Sequence, residues 1–134
     1  ETTANFLAAD PGSGGDVKTL NIPSVRDRTC NPCTFTRTVS AGQAFATNWS
    51  VTTAARGGDM TIDVTPTSFS LDGRSDMIFA DGLEDTPVPL PVSEQELTIT
   101  VSNVTPGAIR FGEIVLTEDG ALAPPARITV AAEN

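Results

Sequence analysis

Apolar and polar residues alternate with a period of two in one short stretch after another along this chain, a pattern that extended strands satisfy and helices do not. In residues 33–39, Cys33, Phe35 and Val39 share one face while Thr34, Thr36 and Thr38 share the other. Phe45, Trp49 and Val51 are in phase in the next stretch, with Asn48 and Ser50 opposite. From Asp59 to Thr65, Met60, Ile62 and Val64 point one way; after Pro66 the pair Phe69 and Leu71 follows. Leu97, Ile99 and Val101 alternate again within 96–102, ahead of a turn at Pro106-Gly107. The last hairpin joins 111–117 to 127–131 across Asp119-Gly120 and Pro124-Pro125. Ile109 and Phe111 are out of phase with Ile114 and Leu116, and the slip at Gly112 predicts a β-bulge there. About seven strands with no helical period between them predict an all-β, antiparallel β-sandwich.

With 134 residues the chain has room for a single core. Aromatics are only 5% of it, so that core is built from small and β-branched aliphatics, which suits packed strands. Residues 1–16 read as a linker, because Pro11, Gly12, Gly14 and Gly15 interrupt any regular element, with Phe6 and Leu7 available to anchor it to a neighbour. The sandwich then occupies 17–134. Within it, 72–94 breaks the alternation: it is acidic and carries Pro87, Pro89 and Pro91. Such a segment predicts a long surface loop, with one short edge strand around Met77 to Phe79.

Histidine is absent, which excludes a Ser-His-Asp triad, a Cys-His dyad and His-ligated zinc within the chain. No catalytic residue is assigned, and the chain reads as a non-enzyme. A net charge of -9 repels phosphate backbones and anionic head groups, so neither nucleic acid nor a membrane surface is an expected partner. No apolar run approaches the length of a membrane span, and an opening on Glu1 without a leader reads as a processed or excised module.

Cys30 and Cys33 enclose Asn31-Pro32. A zinc half-site would need a second pair of soft ligands. A redox pair would need a following helix N-terminus, where a strand is expected. A local disulfide at a strand entrance suits an oxidising compartment, and a loop this short contributes about 2 kcal/mol. Arg37 lies in phase with Phe35 and Val39; either its stem packs along the sheet with its head at a rim carboxylate, or it contacts an adjoining domain. Trp49 is expected in the core. The acidic stretch 72–94 offers hard oxygen ligands for Ca²⁺, but its spacing is not that of an EF-hand and no cofactor is assigned. Asn48-Trp49-Ser50 and Asn103-Val104-Thr105 match the N-glycosylation tripeptide.

The succession of motifs resembles the fibronectin type III-like domain that follows the catalytic domain in many secreted subtilisin-like serine proteases. Leu20-Asn21-Ile22-Pro23-Ser24 is similar to the opening motif of that domain, and Thr34-Phe35-Thr36-Arg37-Thr38-Val39 to the strand after it. Val64-Thr65-Pro66 with Phe69, Phe111-Gly112-Glu113-Ile114, and Pro125 with Ile128 to Val130 continue the order over roughly 17–131. The chain departs from the plant pattern in its CxxC and its expanded acidic stretch. The resemblance implies a fibronectin type III or immunoglobulin-like sandwich and an extracellular, accessory role: packing against the catalytic domain of the same polypeptide through contacts such as Phe6, Leu7 and Arg37. It carries no catalytic residue, since the Asp, His and Ser of a subtilase would lie upstream. Two other functions compete: a module that targets a protease to a surface, polysaccharide or protein substrate, and a redox protein using Cys30 and Cys33.

Overall fold

The computed structural model describes residues 1–73 and 93–134. Eight strands form among them: β1 (Ser24–Asp27), β2 (Cys33–Ser40), β3 (Thr47–Arg56), β4 (Thr61–Thr65), β5 (Ser68–Leu71), β6 (Glu94–Ser102), β7 (Ile109–Glu118) and β8 (Ala126–Glu133). They make a five-stranded sheet in the order β1-β8-β7-β3-β5 and a three-stranded sheet in the order β2-β6-β4. β4 and β5 lie in different sheets, with a cis Thr65–Pro66 peptide between them.

The core lies between the sheets, and the period-two stretches supply it. On β6, the middle strand of the smaller sheet, Leu97, Ile99 and Val101 are wholly buried. They belong to one apolar cluster with Ile114 and Leu116 of β7 and with Val130 of β8. Burying each such side chain stabilises the fold by roughly 1.5–3 kcal/mol, which is why the alternation dictates register: a slip of one residue would turn the whole apolar set outward. Trp49 is inward by phase but only partly buried, packed against this cluster with its indole N–H donating to Thr47 Oγ1 at 2.9 Å. Phe45 falls before β3 and is exposed.

The structure departs from or adds to the sequence reading at three places. The bulge at Gly112 is absent: β7 runs in unbroken register with β8 through Phe111↔Ala131, Gly112↔Val130 and Glu113↔Thr129, and with β3 through Ala55↔Gly112. Gly112 is itself the inward residue, buried in phase with Ile114 and Leu116, whereas Ile109 and Phe111 face outward. The strand β1 was not foreseen, and it pairs with β8 in parallel while the other pairings are antiparallel. Finally, residues 1–16 carry a short helix, α1 (Thr3–Ala8), and a 3-10 turn over Pro11–Ser13, followed by a second such turn over Val17–Thr19. The Thr2 hydroxyl caps α1 by accepting from the Asn5 N–H. Ala9 is buried, and Gly15 lies against the backbone of Ala8 and Ala9 so closely that no side chain fits there. The strand expected around Met77 to Phe79 and most of the acidic stretch fall outside the described residues.

Candidate functional site

Thr34, Thr36, Thr38 and Ser40 lie on β2, an edge strand of the three-stranded sheet, whose outer backbone groups would otherwise be open to another chain. The segment before β1 closes part of that edge. The Asn21 side-chain amide donates to the Thr38 carbonyl and accepts from the Thr38 N–H, both at 2.8 Å, and so substitutes for a paired strand at that position. Next to it, Arg37 is buried, at 4% exposure. Its guanidinium donates to four backbone carbonyls: Ile22 at 2.9 Å, Lys18 at 3.1 Å, Ser24 at 2.7 Å and Thr36 at 2.6 Å. The head group therefore reaches carbonyls of its own chain where a rim carboxylate was expected. Burial pushes the guanidinium pKa down, with the Glu1 carboxylate opposing.

Lys18 fastens the same segment to β1, its ammonium 2.6 Å from the Asp27 carboxylate. Asp27 is buried and also accepts from the Thr29 N–H at 2.8 Å. Burial pushes its carboxyl up, but the Lys18 and Thr29 donors outweigh that and hold it below its usual value. Lys18 is raised in turn, chiefly by its hydrogen bond to Asp27. A carboxyl with a depressed folded pKa contributes stability that is present above its unfolded pKa of about 3.9 and is lost as pH falls through the folded value. The raised Lys18 contributes below an unfolded pKa of about 10.4, and that share is lost as pH rises through the folded value. Thermal melts should therefore show a plateau between these limits and a fall in Tm below about pH 4, and the Asp27→Asn variant should flatten that acid limb. An equally steep acid limb in the variant would place its origin elsewhere.

Beside this strap, a shallow cleft of about 190 Å³ opens between the sheets, lined by Ile22, Pro23, Val39, Leu116 and Ile128 together with Arg37. Its walls suit an apolar side chain rather than a polar reactant. Phe6, Leu7 and Val17, on the segment leading into the strap, are 53%, 69% and 52% exposed.

The CxxC residues form a disulfide that closes the β1–β2 turn, with Cys30 wholly buried and Cys33 nearly so. Asn48 and Asn103 are both exposed; Asn48 accepts from the Ser70 hydroxyl at 2.6 Å, and Asn103 donates to Thr61 at 3.0 Å. Among the described residues, no three His, Cys, Asp or Glu side chains gather as metal ligands. The Ca²⁺ reading rests on residues most of which are outside that description. What sequence reasoning missed is the partner set of Arg37 and the amide cap by Asn21.

No protein-family model matches the chain, and no curated protein sequence matches it significantly. Among solved structures it is similar to SSP-19 of Caenorhabditis elegans, an MSP-domain protein like family member, with a TM-score of 0.50 and 12% identity over 84% of this chain and 95% of that one. It is similar also to the periplasmic chaperone SfaE, with a TM-score of 0.50 and 12% identity over 83% of this chain and 54% of the chaperone. At such identity the likeness is one of fold: the chain is an immunoglobulin-like, MSP-like β-sandwich of eight described strands in two sheets.

Proposed function

We propose that the chain is a non-catalytic accessory module of a secreted subtilisin-like serine endopeptidase, and that it packs against the catalytic domain and stabilises it. The observation that carries this reading is the bonding of the two motifs on which the sequence resemblance rests. Leu20 is buried, Asn21 caps Thr38, and the carbonyls of Ile22 and Ser24 receive Arg37, so the opening motif and the Thr-Arg-Thr-Val strand are two halves of one strap. The Cys30–Cys33 disulfide suits an oxidising, extracellular location.

The strap follows the segment that presents Phe6, Leu7 and Val17, and exposed apolar side chains beside a fixed segment suit a surface that a neighbouring domain covers. In the parent protease, Phe6→Ser with Leu7→Ser should lower secreted yield and the melting temperature of the catalytic domain, while this chain alone melts as before. Full yield and stability of a parent from which the module has been deleted would refute the reading. Retention of the isolated chain on insoluble polysaccharide or collagen would favour a targeting module instead.

A further inference from the structure

The outer face of the five-stranded sheet differs from the rest of the protein in charge and polarity. Register fixes which side chains share it. Arg56 of β3, Phe111 of β7, Ala131 of β8 and Arg26 of β1 stand in one row across four adjacent strands, because Arg56↔Phe111, Phe111↔Ala131 and Arg26↔Ala131 are cross-strand partners. With neighbouring strands about 4.8 Å apart, the two arginines stand on the order of 14 Å apart with the ring between them. Phe111 is 56% exposed, and Ile109, two residues away on the same face, is 48% exposed. The small side chains of Ala54 and Ala131 flank them and leave the ring accessible.

Around this apolar centre the charge is basic. Arg26, Arg56 and Arg127 lie on the face and Arg28 at its margin, against Glu113 and Glu133, with a third carboxylate, Asp119, accepting from the Ser50 hydroxyl at the far end of β7. Glu113 is held between Arg56 at 2.8 Å and Arg127 at 2.7 Å, and these two guanidinium groups hold its pKa down. Arg26 has no carboxylate within bonding distance among the described residues. An arginine-rich face on a chain of net charge -9 is a local reversal of sign. It is basic through arginine alone, with the single lysine of the chain, Lys18, committed to Asp27.

We infer that this face docks a protein whose contact surface is acidic around an apolar centre. The charge complementarity selects an acidic partner. The composition selects a protein: the exposed Phe111 and Ile109 within an arginine rim match the anatomy of protein interfaces, where aromatics and Arg are enriched. A carboxylated polysaccharide would use the arginines but gains nothing from Ile109. A second copy of the chain meeting face to face would set arginine against arginine. The inference stands apart from the protease reading, since it concerns the isolated chain.

The test is selection of peptides from a random displayed library on the immobilised chain, followed by titration of the selected peptides against variants. Selected peptides should combine Asp or Glu with aromatic or large aliphatic residues. Their affinity should fall at least tenfold for Phe111→Ser and for the Arg26→Glu, Arg56→Gln pair, and weaken with added salt, while Tm changes by no more than a few degrees because these side chains are exposed and glutamine sets no like charge against Glu113. Selected peptides without acidic enrichment, or peptides indifferent to both variants, would overturn the inference. So would dimerisation abolished by the same variants in sedimentation equilibrium, or equal, variant-sensitive binding of polygalacturonate.

Discussion

Replacing Arg37 with Met should lower the melting temperature by roughly 10–20 °C, corresponding to a loss on the order of 3–5 kcal/mol. Met approximates the length of the arginine stem and keeps its apolar packing, so the substitution isolates the guanidinium. Where a buried charge faces another side chain, replacing both with apolar groups can be neutral, because both desolvation costs vanish together. Here that escape is closed. The acceptors are the backbone carbonyls of Lys18, Ile22, Ser24 and Thr36, which no substitution removes. Each acceptor left buried without a donor costs about 1–3 kcal/mol, less whatever water can reach. Arg37→Lys should recover only part of the loss, since an ammonium at the end of a flexible stem cannot reproduce a planar fork serving four acceptors. Hydrogen exchange should accelerate at Thr38, whose N–H is held by Asn21, as the strap detaches. A Met variant melting within a few degrees of the parent chain, with Thr38 still protected, would show that the strap is held by other contacts.

Arg37 also marks the limit of what the sequence discloses. Its phase with Phe35 placed it inward, and inward it is; nothing in side-chain identities could reveal that its partners are carbonyls, because every residue carries one. The apolar strands were legible for the opposite reason. Leu97, Ile99 and Val101 on β6, or Met60, Ile62 and Val64 at β4, bury one face only, and a half-buried strand writes its orientation into alternate residues. β1 was not legible because its inward pair is Val25 and Asp27, one of them a carboxylate that is tolerated only through Lys18 and Thr29. A four-residue strand with a charged inward residue after a proline carries no periodic signal. The helix over Thr3–Ala8 escaped for a related reason: none of its residues is buried, so it has no apolar stripe to betray it.

Gly112→Ala should destabilise the fold by roughly 1–3 kcal/mol, although alanine is a residue that strands and helices both accept more readily than glycine. The backbone at Gly112 does not occupy the left-handed region, so no conformational strain opposes the change. Packing does. A Cβ at this position would lie 2.5 Å from Ile62 Cδ1, 2.9 Å from Met60 Cε and 2.9 Å from the Ala54 carbonyl oxygen. Met60 can swing aside at little cost, because thioether chains repack readily. The Ala54 oxygen belongs to β3, which is in continuous register with β7, and moving it loosens that pairing. Ile62 is the contact that mutation can relieve, since Ile62→Val deletes the offending methyl. Alone, Ile62→Val should cost about 0.5–1.5 kcal/mol. Combined with Gly112→Ala it should cost less than the two changes summed, with a coupling of at least about 0.5 kcal/mol, because the cavity left by one change receives the methyl added by the other. Denaturant unfolding of the four proteins in the cycle measures that coupling. Strict additivity would mean that the inward glycine is required by the β3 backbone alone, not by the facing sheet.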